Sequence, residues 1–271
     1  MTSGNPPAVR LEAHAVEKPW GRAALPDRFD GMAADGRRIG EIWFTAPDGR
    51  PLPLLVKYIF TSDRLSVQVH PDDAQARARG LPHGKSECWY ILDADPGAAI
   101  GLGFTREIGD ETLRKAARDG SIEALMDWRP VRVGDVFSVP ATTVHTIGAG
   151  VSLIEVQQQS DVTYRLYDHS RGRALHLDDA VAVACRRPYP DRLASHLSAD
   201  GSGEVTGPHF RMAHVIADGL VEALHDRERW VLPLSGRADA AEATAGPGDC
   251  LLLAPGAPLV GQGRLLIAAA A

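Results

Sequence analysis

Short apolar and alternating segments dominate the hydrophobic pattern of this chain, and they predict a mainly β protein. Strands are predicted over residues 36–44, 52–60, 65–70, 88–92, 98–104, 131–140, 151–158, 211–216, 230–234, 250–254 and 265–269. Residues 6–35 read as loop and short strand, with a turn at 18–21 that inserts an aromatic side chain.

Helical spacing appears in one internal region and in two short segments. Leu113, Ala116 and Ala117 recur at the helical period, Gly120 ends this helix, and Ser121 is predicted to cap a shorter one. Short helices are also predicted near 72–80 and 178–185. The pattern predicts a small helical insertion, about 105–127, in a β protein.

The segment 65–70 carries the chemistry around which the chain is organised. As a strand it places Leu65, Val67 and Val69 on one face and Ser66, Gln68 and His70 on the other, because side chains alternate. A polar face of this kind suits the inside of a β-barrel that holds a metal, with Glu87 and His145 arriving from other strands. A donor set of Gln68, His70, Glu87 and His145, without thiolate, favours zinc over iron, manganese or nickel. The alternative is that the histidines are hydrogen-bonded core or surface residues.

A second region repeats part of the first. Residues 134–140 form a Gly-Asp turn and an apolar strand that ends in proline, with His145 following, and this pattern is typical of cupin barrels; residues 248–255 repeat the turn and strand without a later histidine. We therefore predict two cupin-type (jelly-roll) β-barrels, the second degenerate and without metal. The expected domains are a metal-binding catalytic domain over 1–185, a Pro/Ser/Asp/Gly-rich linker over 186–207 and a β domain over 208–271.

Composition is ordinary for a globular protein of 271 residues, with 44% hydrophobic and 24% charged residues. A net charge of −6 argues against nucleic acid as a partner, so any phosphate site must be a local basic patch. Three cysteines without a CxxC pair predict a reduced, cytoplasmic protein. Neither a secretory signal nor a membrane-spanning helix is expected, and a monomer is the default expectation.

Seven motifs occur in an order that is similar to a known family. They are Lys-Pro-Trp-Gly at 18–21, Gly-Glu-Ile-Trp at 40–43, Leu-Leu-Val-Lys at 54–57, the segment 65–73, Gly-Lys-Ser-Glu-Cys-Trp-Tyr at 84–90, Val-His-Thr-Ile-Gly at 144–148 and the segment 157–165. Together they resemble type I mannose-6-phosphate isomerase (phosphomannose isomerase) of the short bacterial form, a member of the cupin superfamily. The resemblance covers about residues 17–185.

The resemblance implies interconversion of mannose 6-phosphate and fructose 6-phosphate through an enediol, with one zinc ion per chain. It implies active-site roles for Lys85, Glu155 and Arg165: Glu155 as proton-transferring base or as a residue that orients others, and Lys85 and Arg165 as clamps for phosphate or enediolate. Ser66 is a further candidate for phosphate binding, or a small polar residue that fills the barrel. Arg165 is also the predicted ion-pair partner of Glu155.

Two other functions stay open at this stage. One is another cupin enzyme, an oxygenase or a different sugar-phosphate isomerase; the other is a sugar-binding cupin without catalysis. Three departures from the family pattern bear on the substrate pocket: Thr142 in place of glycine before His145, Phe60 in place of a small residue, and Asp-His-Ser-Arg at 168–171. A threonine forced to positive φ would strain the loop before His145. A bulkier or altered rim of the substrate pocket would narrow the range of sugars that the pocket accepts.

Overall fold

The computed structural model describes residues 7–29, 31–33 and 36–271. These residues form a mainly β protein, with 45% strand and 13% helix. The strands are β1 (Ala8–Arg10), β2 (Glu12–Arg22), β3 (Ile39–Thr45), β4 (Leu54–Phe60), β5 (Val67–Val69), β6 (Glu87–Ala94), β7 (Ala99–Phe104), β8 (Met126–Pro130), β9 (Asp135–Val139), β10 (His145–Ile147), β11 (Val151–Gln158), β12 (Tyr164–Tyr167), β13 (Ala194–His196), β14 (Gly203–Thr206), β15 (Phe210–Leu220), β16 (Arg229–Pro233), β17 (Arg237–Ala240), β18 (Ala243–Ala245), β19 (Leu251–Leu253) and β20 (Val260–Ala270).

The helices are α1 (Asp73–Arg77), α2 (Asp110–Asp119), α3 (Ile122–Leu125) and α4 (Leu177–Val183). The predicted end of α2 is confirmed, because Gly120 adopts the left-handed conformation there. The predicted cap at Ser121 is wrong in its chemistry, since this hydroxyl donates to the carboxylate of Asp119 and makes no capping bond. No helix among the described residues is long and apolar enough to cross a membrane.

Within the described residues the strands form three sheets, here called the inner, middle and outer sheets. The inner sheet has the order β12-β5-β10-β7-β8, and the middle sheet has the order β13-β9-β6-β11-β4-β3-β2. The outer sheet follows β1-β19-β16-β20-β15-β14, with β17 and β18 attached beside β20. Every pairing in them is antiparallel.

The sheets pack in layers, because the central strands of the middle sheet, β4 and β11, are buried on both faces. One face, with Tyr58 and Ile154, packs against Trp230 and Leu266 of the outer sheet. The other face looks toward the inner sheet. The outward side of the inner sheet is covered by α2, α3 and α4. Phe60 lies in the core between the middle and outer sheets, so the expectation that it narrows the substrate pocket is wrong.

Each predicted strand segment overlaps a strand of the structure, but the short strands β8, β10, β12, β13, β14, β17 and β18 were not predicted, and neither was a long strand near the N-terminus. There the 11-residue β2 replaces the predicted loop and turn. Among the residues that the structure describes it pairs with β3 alone, so it lies at the edge of the middle sheet. Its exposed face carries polar residues that hide the strand pattern. The pairing is interrupted between Glu17 and Arg22, so the Lys-Pro-Trp-Gly segment forms an irregularity in this edge strand.

The predicted linker, residues 186–207, contributes to two sheets. Strand β13 pairs with β9 of the middle sheet, and β14 pairs with β15 of the outer sheet. At the other end of the chain, β1 pairs with β19 of the outer sheet immediately before β2 enters the middle sheet. The segment is therefore ordered structure, while the division into two domains stays a prediction.

The two Gly-Asp turns share one geometry. Asp135 accepts a hydrogen bond from the backbone N–H of Arg132 at 3.0 Å, and Asp249 accepts one from the backbone N–H of Gly246 at 2.9 Å. Gly134 and Gly248 both have positive φ, 89° and 100°. The repeated sequence pattern therefore corresponds to a repeated local structure, one copy in the middle sheet and one in the outer sheet.

Thr142 has the strained conformation that its sequence position suggested, with φ of 74°. Its N–H donates to the carbonyl of His70 at 2.7 Å, and its carbonyl accepts from the N–H of Cys185 at 2.8 Å. A β-branched residue is rarely found at positive φ, so these two bonds hold a conformation that the side chain disfavours. They also tie the loop before His145 to the segment that carries His70.

We expect Thr142→Gly to stabilise the protein. Relief of left-handed strain is worth about 1–3 kcal/mol, and the flexibility of glycine in the unfolded chain offsets about 0.5–1 kcal/mol of it. A net gain of about 1 kcal/mol should appear in urea unfolding. Thr143→Gly, in the same loop without positive φ, is the control and should lower the free energy of unfolding; equal losses in both variants would contradict the strain.

Candidate active site

The site lies between the facing sides of the middle and inner sheets. Alternation directs Lys57 of β4, Glu87 of β6 and Glu155 of β11 toward a cavity of about 280 Å³. From the inner sheet, Gln68 of β5 and Arg165 of β12 line the same cavity. Ser66 and Lys85, also predicted as site residues, line it as well. Residues distant in sequence thus converge because each occupies the cavity-facing register of its own strand.

Three of the four predicted metal ligands form one compact buried group. One donor atom from each of His70, Glu87 and His145 lies within 4.8 Å of the others. The Nε2 atom of His70 is 3.1 Å from Glu87 Oε1, and that of His145 is 3.6 Å from Glu87 Oε2. Each side chain is about 1% exposed, so solvent does not separate the donors.

The protonation of both histidines suits a bound cation. Each Nδ1 donates to a backbone carbonyl, that of Val162 for His70 at 2.8 Å and that of Thr143 for His145 at 2.9 Å. Each Nε2 therefore carries a lone pair toward the Glu87 carboxylate. Two lone-pair atoms 3.1 Å apart repel each other. The ammonium of Lys85 lies 3.3 Å from His70 Nε2 and 2.7 Å from Glu87 Oε1 and offsets this repulsion, and a metal ion bound to both atoms would do the same.

The pKa shifts agree with this protonation. Burial, together with the positive charge of Lys85, lowers the pKa of His70 to about 3, and burial also lowers the pKa of His145. Burial alone would raise the pKa of Glu87, but the ammonium of Lys85, 2.7 Å from its carboxylate, holds it well below its usual range. Neutral imidazoles and an ionised carboxylate are the forms that bind metals. The residues present therefore fit a divalent ion with nitrogen and oxygen ligands.

Gln68, the fourth predicted ligand, lies beside this group. Its amide Nε2 is 3.2 Å from His145 Nε2, and its Oε1 accepts from the hydroxyl of Ser66 at 3.3 Å. Rotation of the amide plane by half a turn would present the oxygen in place of the nitrogen. Ser66 thus contacts the predicted ligand and also lines the cavity.

The ion-pair partner of Glu155 is Lys57, so the predicted pair with Arg165 is wrong. The two residues are cross-strand neighbours on β11 and β4, and Lys57 Nζ lies 3.3 Å from Glu155 Oε1. Lys85 Nζ is 3.9 Å from the same oxygen and 2.7 Å from Glu87 Oε1. Two buried carboxylates and two buried ammonium groups therefore lie next to one another in the space between the middle and inner sheets.

This arrangement sets the charge of the two central groups. Burial and the neighbouring Glu87 raise the pKa of Glu155 to about 8, against the opposing effect of Lys57 and Lys85. Burial alone would lower the pKa of Lys57. The carboxylates of Glu155 and Glu41 outweigh that effect, so the pKa of Lys57 is raised. Lys57 thus stays a cation while Glu155 can exchange a proton near neutral pH.

Sequence reasoning gave no role to Lys57, Glu41 or Lys18, which also line the cavity. Lys57 is a charge within an otherwise apolar strand, and the rule that led us to seek a partner for Glu155 applies equally to it. Glu41 lies 3.4 Å from Lys18 Nζ and accepts a hydrogen bond from the indole of Trp43 at 2.6 Å. For Lys57 and Glu41 the signal was present in the sequence, as charged residues within apolar strands.

Arg165 lies at a second, cationic part of the cavity wall, with Arg173 and His176. The Nε–H of its guanidinium donates to the carbonyl of Ala174 at 3.0 Å. Its backbone N–H donates to His176 Nδ1 at 3.2 Å. Burial and the charge of Arg173 lower the pKa of Arg165. Asp168 pairs with Arg173 and with Arg171, which fixes the segment that departs from the family pattern.

Fold and site together define a mainly β, cupin-like protein with a buried His-Glu-His group in a charged cavity. No model of a known protein family matches the chain. The probable mannose-6-phosphate isomerase GmuF of Bacillus subtilis is 37% identical over 212 residues, 64% of this chain and 67% of that protein. The chain accordingly belongs to the mannose-6-phosphate isomerase family. Its matches span 43% to 67% of the length of the curated relatives.

Solved structures extend the likeness over nearly the whole chain. The mannose 6-phosphate isomerase of Bacillus subtilis superposes with a TM-score of 0.76 at 27% identity, covering 97% of this chain and 99% of that one. A mannose 6-phosphate isomerase solved with zinc bound superposes with a TM-score of 0.72 at 14% identity, covering 98% and 100%, which is a likeness of fold. The C-terminal strands outside the resembling motifs are thus part of a shared architecture.

Removing Lys57 should strongly destabilise the protein. Lys57→Met leaves Glu155 and Glu41 without their buried cation, and breaking a buried pair typically costs about 3–5 kcal/mol. The control is Arg64→Met, because Arg64 forms an exposed pair with Glu123 and such pairs contribute about 0–1 kcal/mol. Urea unfolding should separate the two variants; similar losses would show that Lys57 is not a critical buried charge.

Proposed function

We propose that this protein is a zinc-dependent aldose-ketose isomerase that interconverts mannose 6-phosphate and fructose 6-phosphate. The observation that carries the proposal is the buried group of His70, Glu87 and His145 in a cavity lined by charged side chains of both signs. Membership of the mannose-6-phosphate isomerase family supports the substrate, because the relatives bear that name.

The metal site of the proposal uses Gln68, His70, Glu87 and His145. Their nitrogen and oxygen donors and the absence of a thiolate among them favour zinc, and a related fold has been solved with zinc bound. A zinc ion held there supplies a Lewis acid that polarises substrate oxygens. We infer one ion per chain, because the described residues offer one such group.

The proton transfer is assigned to Glu155. Isomerisation moves a proton between the two carbons next to the sugar carbonyl, through an enediol that carries developing negative charge. Glu155 is a buried carboxylate that lines the cavity, so it can accept the proton from one carbon and return it to the other. Lys57 and Lys85 both lie near one oxygen of its carboxylate, Oε1, at 3.3 Å and 3.9 Å.

Binding of the anionic substrate is assigned to Ser66, Lys85 and Arg165. Arg165 offers a planar guanidinium, one nitrogen of which is already anchored on Ala174, and Lys85 offers a compact ammonium. Both lie in the wall of a protein whose net charge is −6, so the cationic patch is local. Charge complementarity with a sugar phosphate follows from this patch.

The free thiols Cys88, Cys185 and Cys250 support a cytoplasmic location.

A coupled assay of mannose 6-phosphate isomerisation, before and after chelation, tests the proposal. Activity should fall to background when zinc is removed and return when about one zinc per chain is restored. Activity that survives complete metal depletion would contradict the metal dependence. A zinc-loaded protein that turns over another sugar phosphate but never mannose 6-phosphate would overturn the substrate.

Glu155→Gln tests the proton transfer. The amide keeps the shape of the side chain but cannot accept the proton, so kcat should fall by at least about 10²-fold while zinc content stays at the level of the unaltered protein. Metal analysis and kinetics on the same preparation check this. Unchanged turnover would instead favour a different base, and sugar binding with no turnover in the parent protein would favour a non-catalytic cupin.

A further inference from the structure

Trp43 lies beside the cavity, on the same face of the middle sheet as Lys57, and contacts two of the charged groups that line it. It is a cross-strand neighbour of Lys57 through the pairing of β3 and β4. Its indole N–H donates to Glu41 Oε2 at 2.6 Å, and the ammonium of Lys57 sits over its ring, 5.7 Å from the centroid. Trp43 itself is not among the residues that line the cavity.

The two contacts hold the side chains of Glu41 and Lys57 in place, and without them these charges would move. Lys57 is attracted to the carboxylates of both Glu155 and Glu41. The indole N–H binds Glu41 on the same oxygen that lies 3.4 Å from Lys18 Nζ, so Glu41 is held between these two donors. The ring face meanwhile offers Lys57 a favourable surface beside Glu155. Lys57 therefore remains 3.3 Å from Glu155.

We propose that Trp43 is a positioning residue of the active site, acting through Glu41 and Lys57 on Glu155. This inference rests on the proposed function of Glu155 and adds a residue that touches neither substrate nor metal ligands. Without the indole N–H, Glu41 turns toward Lys57 and draws the ammonium away from Glu155. The carboxylate then loses the cation that orients it for proton transfer.

The experiment compares Trp43→Phe, which keeps a ring and loses the N–H, with a matched control elsewhere. Trp128 makes the same two kinds of contact: its indole N–H donates to the carbonyl of Glu123 at 2.8 Å, and Arg64 lies 5.7 Å from its ring centroid. Trp128→Phe therefore removes an equivalent bond away from the cavity. For both variants kcat and KM for mannose 6-phosphate are measured separately, together with zinc content and melting temperature.

We expect Trp43→Phe to lower kcat about tenfold or more, since small misplacements of a reacting group cost up to about 10²-fold. KM, zinc content and melting temperature should stay close to those of Trp128→Phe, which should keep full turnover. Because Glu41→Gln removes the carboxylate that competes for Lys57, the double variant Trp43→Phe/Glu41→Gln should recover most of the turnover that Trp43→Phe alone loses. Unchanged kcat in Trp43→Phe, no recovery in the double variant, or a loss matched by falling zinc content or melting temperature, would overturn the proposal.

A measurement that does not depend on enzyme activity distinguishes this inference from the proposed function. Crystal structures of the unaltered protein and Trp43→Phe should show a longer distance from Lys57 Nζ to Glu155 Oε1 in the variant. An inactive parent protein in which this distance still changes would refute the isomerase proposal and leave the positioning intact. An unchanged distance would refute the positioning, whatever the activity.

Discussion

The enclosure of charge between two sheets is the constraint on which the rest of this structure depends. Lys57, Lys85, Glu87 and Glu155 are each at most 4% exposed, and any one of them alone would be costly in such surroundings. Each is compensated by the others, with Lys85 in contact with both carboxylates. The strand register must be right for this compensation, because a slip by one residue would place these side chains in the opposite core.

The remaining layers make this enclosure possible. The middle sheet presents its charged face inward because its other face, with Tyr58 and Ile154, is buried against the outer sheet. The C-terminal strands therefore support the site without contributing ligands: they cover the back of the sheet that carries Lys57, Glu87 and Glu155. The helices over the inner sheet give the same support to the strands that carry Gln68 and His145.

Much of the fold followed from the sequence because strand alternation and turn residues are local signals. The Gly120 helix end, the strand β11 and the repeated Gly-Asp turns were all predicted and are confirmed. The edge strand β2 was missed, because an exposed strand mixes polar residues into the pattern. The ion-pair partner of Glu155 was also assigned wrongly. It is set by the register of β4 against β11, a long-range pairing that sequence spacing does not specify.

The resemblance of the motifs was enough to predict that the metal donors lie together. It did not predict the tautomers of the two histidines or the network of buried lysines and glutamates. Which nitrogen of His70 is free depends on the carbonyl of Val162, which only the folded chain brings near. For His145 it depends on the conformation of the loop that holds the carbonyl of Thr143 against Nδ1. The strain at Thr142 is an intermediate case. The sequence showed a threonine where glycine was expected, and the fold shows that two backbone bonds hold it at positive φ.

The most direct test of the central claim is X-ray absorption spectroscopy of the zinc-loaded protein at the zinc edge. A site built from Gln68, His70, Glu87 and His145 predicts only nitrogen and oxygen neighbours at about 2.0–2.2 Å, with the multiple-scattering signature of two imidazoles. His145→Asn should remove one imidazole from that signature. A sulfur neighbour at about 2.3 Å, or a spectrum unaffected by the substitution, would place the metal elsewhere and contradict the account.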